Sequence, residues 1–242
     1  MRIVVSIDTD TFTEGDDIAV DLAAASLAEL PQAGHEIVVV HGGPVETQAA
    51  TGSRLVRALD ALLAGRTVVA LVTHAQVGAH DPLVHRPDRP LVRPQAVPEA
   101  QVVRELLADG TVVVCGGGIP VVRERGTARL RTVPVTVDPD RTAALLAVEL
   151  DADILLFLTS ATHLFAESGH GRPRPLLRLT PDELSGTRLP EAVIARAAVA
   201  ADFVTRTGEL AAVGPVDNAL GILLGTTGTL IRPAPASLPA AD

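Results

Sequence analysis

Lysine is absent from this 242-residue sequence, and all twenty basic residues are arginine. Every permanently charged side-chain cation available to a functional site is therefore a planar guanidinium. Tryptophan and tyrosine are also missing, which leaves four phenylalanines as the aromatic complement. A core must then be built from Val, Leu, Ile and Ala, a composition that favours buried parallel strands covered by Ala/Leu helices. A single cysteine excludes an intramolecular disulfide. The net charge of −9, without basic runs, argues against nucleic acid as the main partner, because phosphate backbones demand clustered cations. No run reaches the ~18 apolar residues of a membrane span. The opening "MRIVVSIDTD" is too short in its apolar part, and too soon acidic, for a signal peptide. The expectation is a cytoplasmic protein with neither a membrane nor a nucleic-acid partner.

What is present is a regular alternation. "RIVVSI" (2–7), "EIVVVH" (36–41), "TVVALV" (67–72), "TVVVC" (111–115) and "DILLFLT" (153–159) read as strands. Residues 16–30, 47–65, 99–110 and 141–152 carry Ala/Leu segments with helical spacing. Such alternation predicts a mostly parallel sheet with helices on both faces. Two segments break the rhythm. Residues 79–98, punctuated by Pro82, Pro87, Pro90, Pro94 and Pro98, read as a surface loop or flap. Residues 121–135 alternate charged and apolar positions around Gly126, as a β-hairpin does. The final third predicts a helix over 190–207, a strand over 209–213, a helix over 216–224 and a strand over 228–233. One domain over 1–233 with two lobes is expected, followed by a disordered tail at 234–242.

Ligands of open α/β sheets sit outside the carboxyl ends of the strands, so the strand-ending loops are the places for chemistry. They are "DTDT" (8–11), "HGGP" (41–44), the proline-rich flap, "CGGGIP" (115–120) and "LTSATHLF" (158–165). A strand feeding Gly116, Gly117 and Gly118 is either a tight turn or a loop that presents backbone N–H groups to phosphate. Asp138 and Asp140 precede an Ala/Leu helix, where an aspartate is a common N-cap. Asp8 and Asp10 share one face of the first strand by its two-residue period. They either cap the next helix or offer carboxylates to a hard divalent cation. His74, His80, Asp81 and His85 match no zinc spacing and read as surface groups. Cys115 reads as a small core residue.

Several of these positions together resemble the carbamate kinase branch of the amino acid kinase family. "DPLVHRPDRP" (81–90) has that branch's Asp-Pro followed by Pro-x-basic-Pro, and "VVVCGGGIPVV" is similar to its glycine-rich strand-loop, one glycine short. "VDPDRTAALLAVELDADILLFLT" (137–159) resembles its Asp-Lys-Asp, Ala-rich helix, Ala-Asp and strand. "HGGP" stands where the family has His-Gly-Asn-Gly-Pro, and "TTGTLI" takes the closing strand position.

The resemblance implies a three-layer α/β/α sandwich with a mostly parallel central sheet, an N-terminal substrate lobe (about 1–135) and a C-terminal nucleotide lobe (about 136–233). It implies ATP and Mg2+ as cofactors of an active kinase, a small anionic substrate and a homo-oligomer. Carried over residue by residue, it assigns catalysis to Asp140, Arg196 and Arg89. Substrate binding falls to Asp8, Thr9, Asp10, Gly42, Gly43, Gly116, Gly117 and Gly118, with no resident metal. The departures lie in the same places. Asp8-Thr9-Asp10-Thr11 replaces Gly-Gly-Asn-Ala, Pro139 replaces the lysine of Asp-Lys-Asp, and Arg89 replaces the flap lysine. "PEAVIA" followed by Arg196 replaces a Gly-Ser-Met-Gly-Pro-Lys loop, and Ser160 replaces an aspartate. Three functions stay open: an ATP-dependent phosphotransferase, a pseudo-kinase that binds a small anion or serves an assembly, and an enzyme of changed, metal-assisted chemistry built on Asp8 and Asp10.

Overall fold

Residues 1–7, 17–86, 91–167 and 172–235 are described by a computed structural model. The first apolar run forms β1 (Arg2–Ile7), and α1 (Asp17–Gln32) returns the chain to β2 (Glu36–His41). Then come α2 (Val45–Leu62), β3 (Val68–Leu71), β4 (His74–Val77), a 3₁₀ turn (Pro82–His85), β5 (Leu91–Val92) and β6 (Pro94–Ala96). α3 (Ala100–Ala108) leads to β7 (Val112–Gly116), β8 (Ile119–Arg123), β9 (Leu130–Thr132) and β10 (Thr136–Val137). The second half runs through α4 (Pro139–Glu149), β11 (Ile154–Thr159), β12 (Leu164–Ala166), β13 (Arg174–Leu176) and β14 (Arg178–Leu179). It closes with α5 (Pro181–Ser185), α6 (Glu191–Thr207), β15 (Leu210–Pro215), α7 (Ala219–Leu223) and β16 (Thr229–Ile231).

Eight strands form the main sheet in the order β14-β16-β15-β11-β1-β2-β7-β3. From β3 to β15 all neighbours are parallel, and β16 turns back antiparallel to β15. Because successive side chains of a strand point to opposite faces, the continuous apolar runs feed two helical layers at once. Ile3, Val5 and Ile7 join Leu27 of α1 and Leu55 of α2 on one face. Val4 joins Val103 of α3, Leu146 of α4 and Phe203 of α6 on the other. The result is the α/β/α sandwich expected from the alternation.

Capping residues set the helix ends that matter for the site. Asp138 accepts a hydrogen bond from Asp140 N at 2.9 Å and Pro139 occupies the first turn, so the capping residue Asp138 alone separates α4 from β10. α6 stops at Gly208, whose φ of 75° is left-handed backbone.

A smaller sheet, β6-β4-β8-β9, grows out of the main one. β3 and β7 are parallel neighbours in the main sheet, and their continuations β4 and β8 are parallel neighbours again. The joint is closed by Thr73, whose Oγ1 donates to Gly116 O at 2.7 Å and whose carbonyl accepts from Ile119 N at 2.8 Å. The hairpin expected around Gly126 is β8–β9, with Val121 opposite Thr132.

The proline-rich segment differs from the surface loop expected of it. Val84 and Val92 are buried with Val122, Val135 and Val137 in a third apolar cluster. Pro82 stands in the first turn of the 3₁₀ segment and Pro94 on the edge strand β6, two positions that tolerate proline. The helix expected over 216–224 is reduced to α7, started by Asn218, whose side chain accepts from Gly221 N at 3.0 Å. Among the described residues no helix is long and apolar enough to cross a membrane.

Candidate functional site

Parallel strands end on a common edge, and here that edge collects β1, β2, β7 and β11. Ser6 is the polar break in the run "RIVVSI", on the same face of β1 as Val4 and facing α4. Its Oγ donates to Asp140 Oδ1 at 2.6 Å. From α6, Arg196 Nε donates to Asp140 Oδ2 at 2.8 Å. Asp140 is only 8% exposed, so both oxygens leave water and both regain a donor. Burial pushes its pKa upward; the charge of Arg196 and the Ser6 hydroxyl pull it down, and nearby Asp138 pushes it up again.

Gly116, which ends β7, and Gly117 and Gly118, which follow it, are all buried, and each faces a different neighbour. A Cβ at Gly116 would run into the Gln48 carboxamide of α2. One at Gly117 would lie 3.1 Å from the Pro139 ring and 3.4 Å from His41 O. One at Gly118, whose φ is +97°, would lie 2.7 Å from Ala75 Cβ of β4. The bend is thus a junction at which α2, α4 and β4 approach the backbone closely. Gln48 ties the junction to the preceding loop, its Nε2 donating to Gly43 O at 3.2 Å. His41 Nδ1 is 3.0 Å from Gly42 O, so this nitrogen carries the proton, and burial lowers the ring's pKa.

Of the residues singled out from sequence, the structure brings Asp140 and Arg196 into contact, sets Gly117 against Pro139 and links Gly43 with Gly116 through Gln48. Asp8, Thr9, Asp10 and Arg89 lie outside the described residues. His74 is not a simple surface group: Glu99 accepts from its backbone N–H at 2.9 Å and sits 2.7 Å from its Nδ1. His80 Nε2 accepts from Arg125 at 2.7 Å. Cys115 is fully buried in β7, and burial pushes its thiol pKa up to about 12. Sequence reasoning missed Ser6, Gln48 and Thr73; only Ser6 left a signal, a hydroxyl at an inward position of an otherwise apolar strand.

A further cleft of about 440 Å3 lies at the carboxyl ends of β11 and β15, lined by Thr159, Ser160, Thr162, Asp217 and Asn218 among others. Among the described residues no three His, Cys, Asp or Glu side chains converge on a metal-sized space.

The parallel sheet, with its polar and glycine-rich groups at the carboxyl edge, places the molecule among the α/β/α proteins that handle ligands at strand ends. Residues 1–203 match the amino acid kinase family, and the chain belongs to that family. It is 32% identical to a carbamate kinase of Rhizobium meliloti over 142 residues, which take in 57% of this chain and 44% of that protein. Over nearly the whole length it is 25% identical to a carbamate kinase of Staphylococcus haemolyticus, covering 96% of this chain and 99% of that protein. That alignment extends over 308 residues against 242 here, so this chain lacks segments that the relative carries. Among solved structures, the carbamate kinase of Giardia lamblia bound to AMP-PNP superposes with a TM-score of 0.85 at 20% identity, over 96% of this chain and 98% of that one. The Aeropyrum pernix protein APE1968 superposes with a TM-score of 0.84 at 23% identity, over 97% and 100%.

Proposed function

We propose that the chain is a carbamate kinase-like phosphotransferase that uses a guanidinium where its relatives use lysine. A carboxylate or carbamate oxygen attacks the γ-phosphorus of ATP, the bond to the β-phosphate oxygen breaks, and an acyl phosphate and ADP leave. The observation that carries this reading is the Arg196–Asp140 pair: a buried carboxylate holds a permanent cation at the sheet's carboxyl edge. Phosphoryl transfer spreads negative charge over three oxygens, and a preorganised cation stabilises it.

Magnesium would enter this site with the nucleotide phosphates rather than on a cage of protein carboxylates. Both Asp140 oxygens are engaged by Ser6 and Arg196, and an Asp138 oxygen caps α4. Mg2+ commonly takes few protein ligands and shares those of the phosphates. ATP, carbamate and small carboxylates with Mg2+ in an ADP-release assay test the proposal, and Arg196→Ala should reduce turnover about a hundredfold or more. Absence of product after prolonged incubation with all acceptors would sink it.

Pro139 favours a second reading, a protein that binds a small anion without turning it over. Its ring packs at the glycine bend, 3.1 Å from the place a Gly117 Cβ would take, where the family carries a lysine. Loss of one preorganised donor costs about 3 kcal/mol, so several losses remove most catalysis. Calorimetric binding of ATP without product formation would select this reading.

A further inference from the structure

At the far edge of the sheet, β13, β14 and the turn between α7 and β16 enclose a cleft of about 610 Å3. Small-molecule sites commonly measure ~300–1,000 Å3. Arg174, Arg178 and His163 contribute its cationic and polar groups, and Leu177, Ile222 and Leu230 its apolar surface. No Asp or Glu is among the described residues that line it, and neither arginine makes an ion pair with a described residue.

The cleft is separate from the carboxylate site. Arg178 is in register with Leu230 of the parallel neighbour β16, so the two side chains share a face of the sheet. Leu230 packs with Ile222 on the α1 and α7 side, whereas α4 and α6, which carry Asp140 and Arg196, cover the opposite face. The turn leaves room for the guanidinium: a Cβ at Gly225, whose φ is +72°, would stand 3.5 Å from Arg178 Nη2.

We propose that this cleft is a second ligand site, for a phosphate monoester of an aromatic or heteroaromatic group. Two guanidiniums suit a dianionic phosphate through paired N–H donors, and their planes also stack on aromatic rings. Leu177, 62% exposed, and the side chains of Ile222 and Leu230 give the ring an apolar surface to cover. The proposal is independent of phosphoryl transfer at Asp140 and Arg196.

Titration of 1-naphthyl phosphate into the full chain, followed by calorimetry, is the test. Binding should be at least about tenfold tighter than that of inorganic phosphate or 1-naphthol. Arg174→Gln with Arg178→Gln should weaken it by about tenfold or more at an unchanged melting temperature. Leu177→Asp, a change at an exposed position, should weaken it as well, while Arg196→Lys should leave it unaltered. No binding to the unmodified protein, equal affinity in the double variant, or loss of binding in Arg196→Lys overturns the proposal.

Discussion

Arg196 on α6 and Asp140 on α4 are joined by a 2.8 Å hydrogen bond across 56 residues of sequence, and the side chains are only 15% and 11% exposed. The pair fixes where the first turn of α4 and the second turn of α6 stand over the end of β1, with Ser6 as the third member. Removing the Asp140 carboxylate takes the acceptor away from both the Ser6 hydroxyl and Arg196 Nε inside the protein. Asp140→Ala should therefore cost about 3 kcal/mol, read from urea denaturation. The joint replacement Asp140→Leu with Arg196→Met should restore most of that stability while abolishing any phosphotransfer. A loss under about 1 kcal/mol in the single variant would mean that the pair behaves as a solvated one.

Two glycines with similar backbone should respond differently to alanine. Gly118 combines a φ of +97° with a neighbour 2.7 Å from its would-be Cβ, whereas Gly126 has a φ of +73° and nothing within 4 Å. Gly126→Ala should cost about 1 kcal/mol from backbone alone. Gly118→Ala should cost more, about 2–3 kcal/mol, because Ala75 and β4 must shift as well. Equal losses by thermal or chemical denaturation would contradict the packing role of the bend.

Cys115 should resist alkylation at pH 8 in the folded protein and react once urea unfolds it. Its thiol keeps its proton up to about pH 12, against 9.0 for the ordinary group. Between those values the unfolded chain has lost the proton and the folded chain has not, so stability falls as pH rises through this window. Cys115→Ala should remove that part of the alkaline slope. Labelling of native protein at the rate of a free thiol would refute the assigned burial.

His41 should destabilise the fold in acid. Burial depresses its folded pKa below the ordinary 6.5, so the unfolded chain takes up a proton first as pH falls, and stability drops below that pH. His41→Asn should flatten the slope under pH 6.5, measured by denaturation midpoints over a pH series. An unchanged slope would show that other groups carry the acid sensitivity.

Much of this was legible in the residue pattern. The β-branched runs at 2–7, 36–41, 111–115 and 153–159 became the central strands because runs apolar at nearly every inner position can be buried on both faces. Asp138 announced the start of α4 as a cap that accepts a local backbone hydrogen bond. The burial of Val84 and Val92 in the proline-rich segment was not legible, because it depends on Val122, Val135 and Val137 arriving from elsewhere in the chain. For the glycine bend, the sequence announced a turn but not its neighbours: Gln48, Pro139 and Ala75 come from three different elements.

The sequence by itself determined the layered α/β architecture, the family, and the exclusive use of guanidinium as a cation. The architecture follows from short-range periodicity and turn chemistry, the family from the ordered motifs along residues 1–203, and the choice of cation from composition. The tertiary structure alone decided that Ser6, Asp140 and Arg196 form one buried group, and that Arg174 and Arg178 line one cleft with Leu177, Ile222 and Leu230. The physical reason is that burial, pairing and desolvation are properties of the space between elements, and that space exists only once the strands have chosen their neighbours.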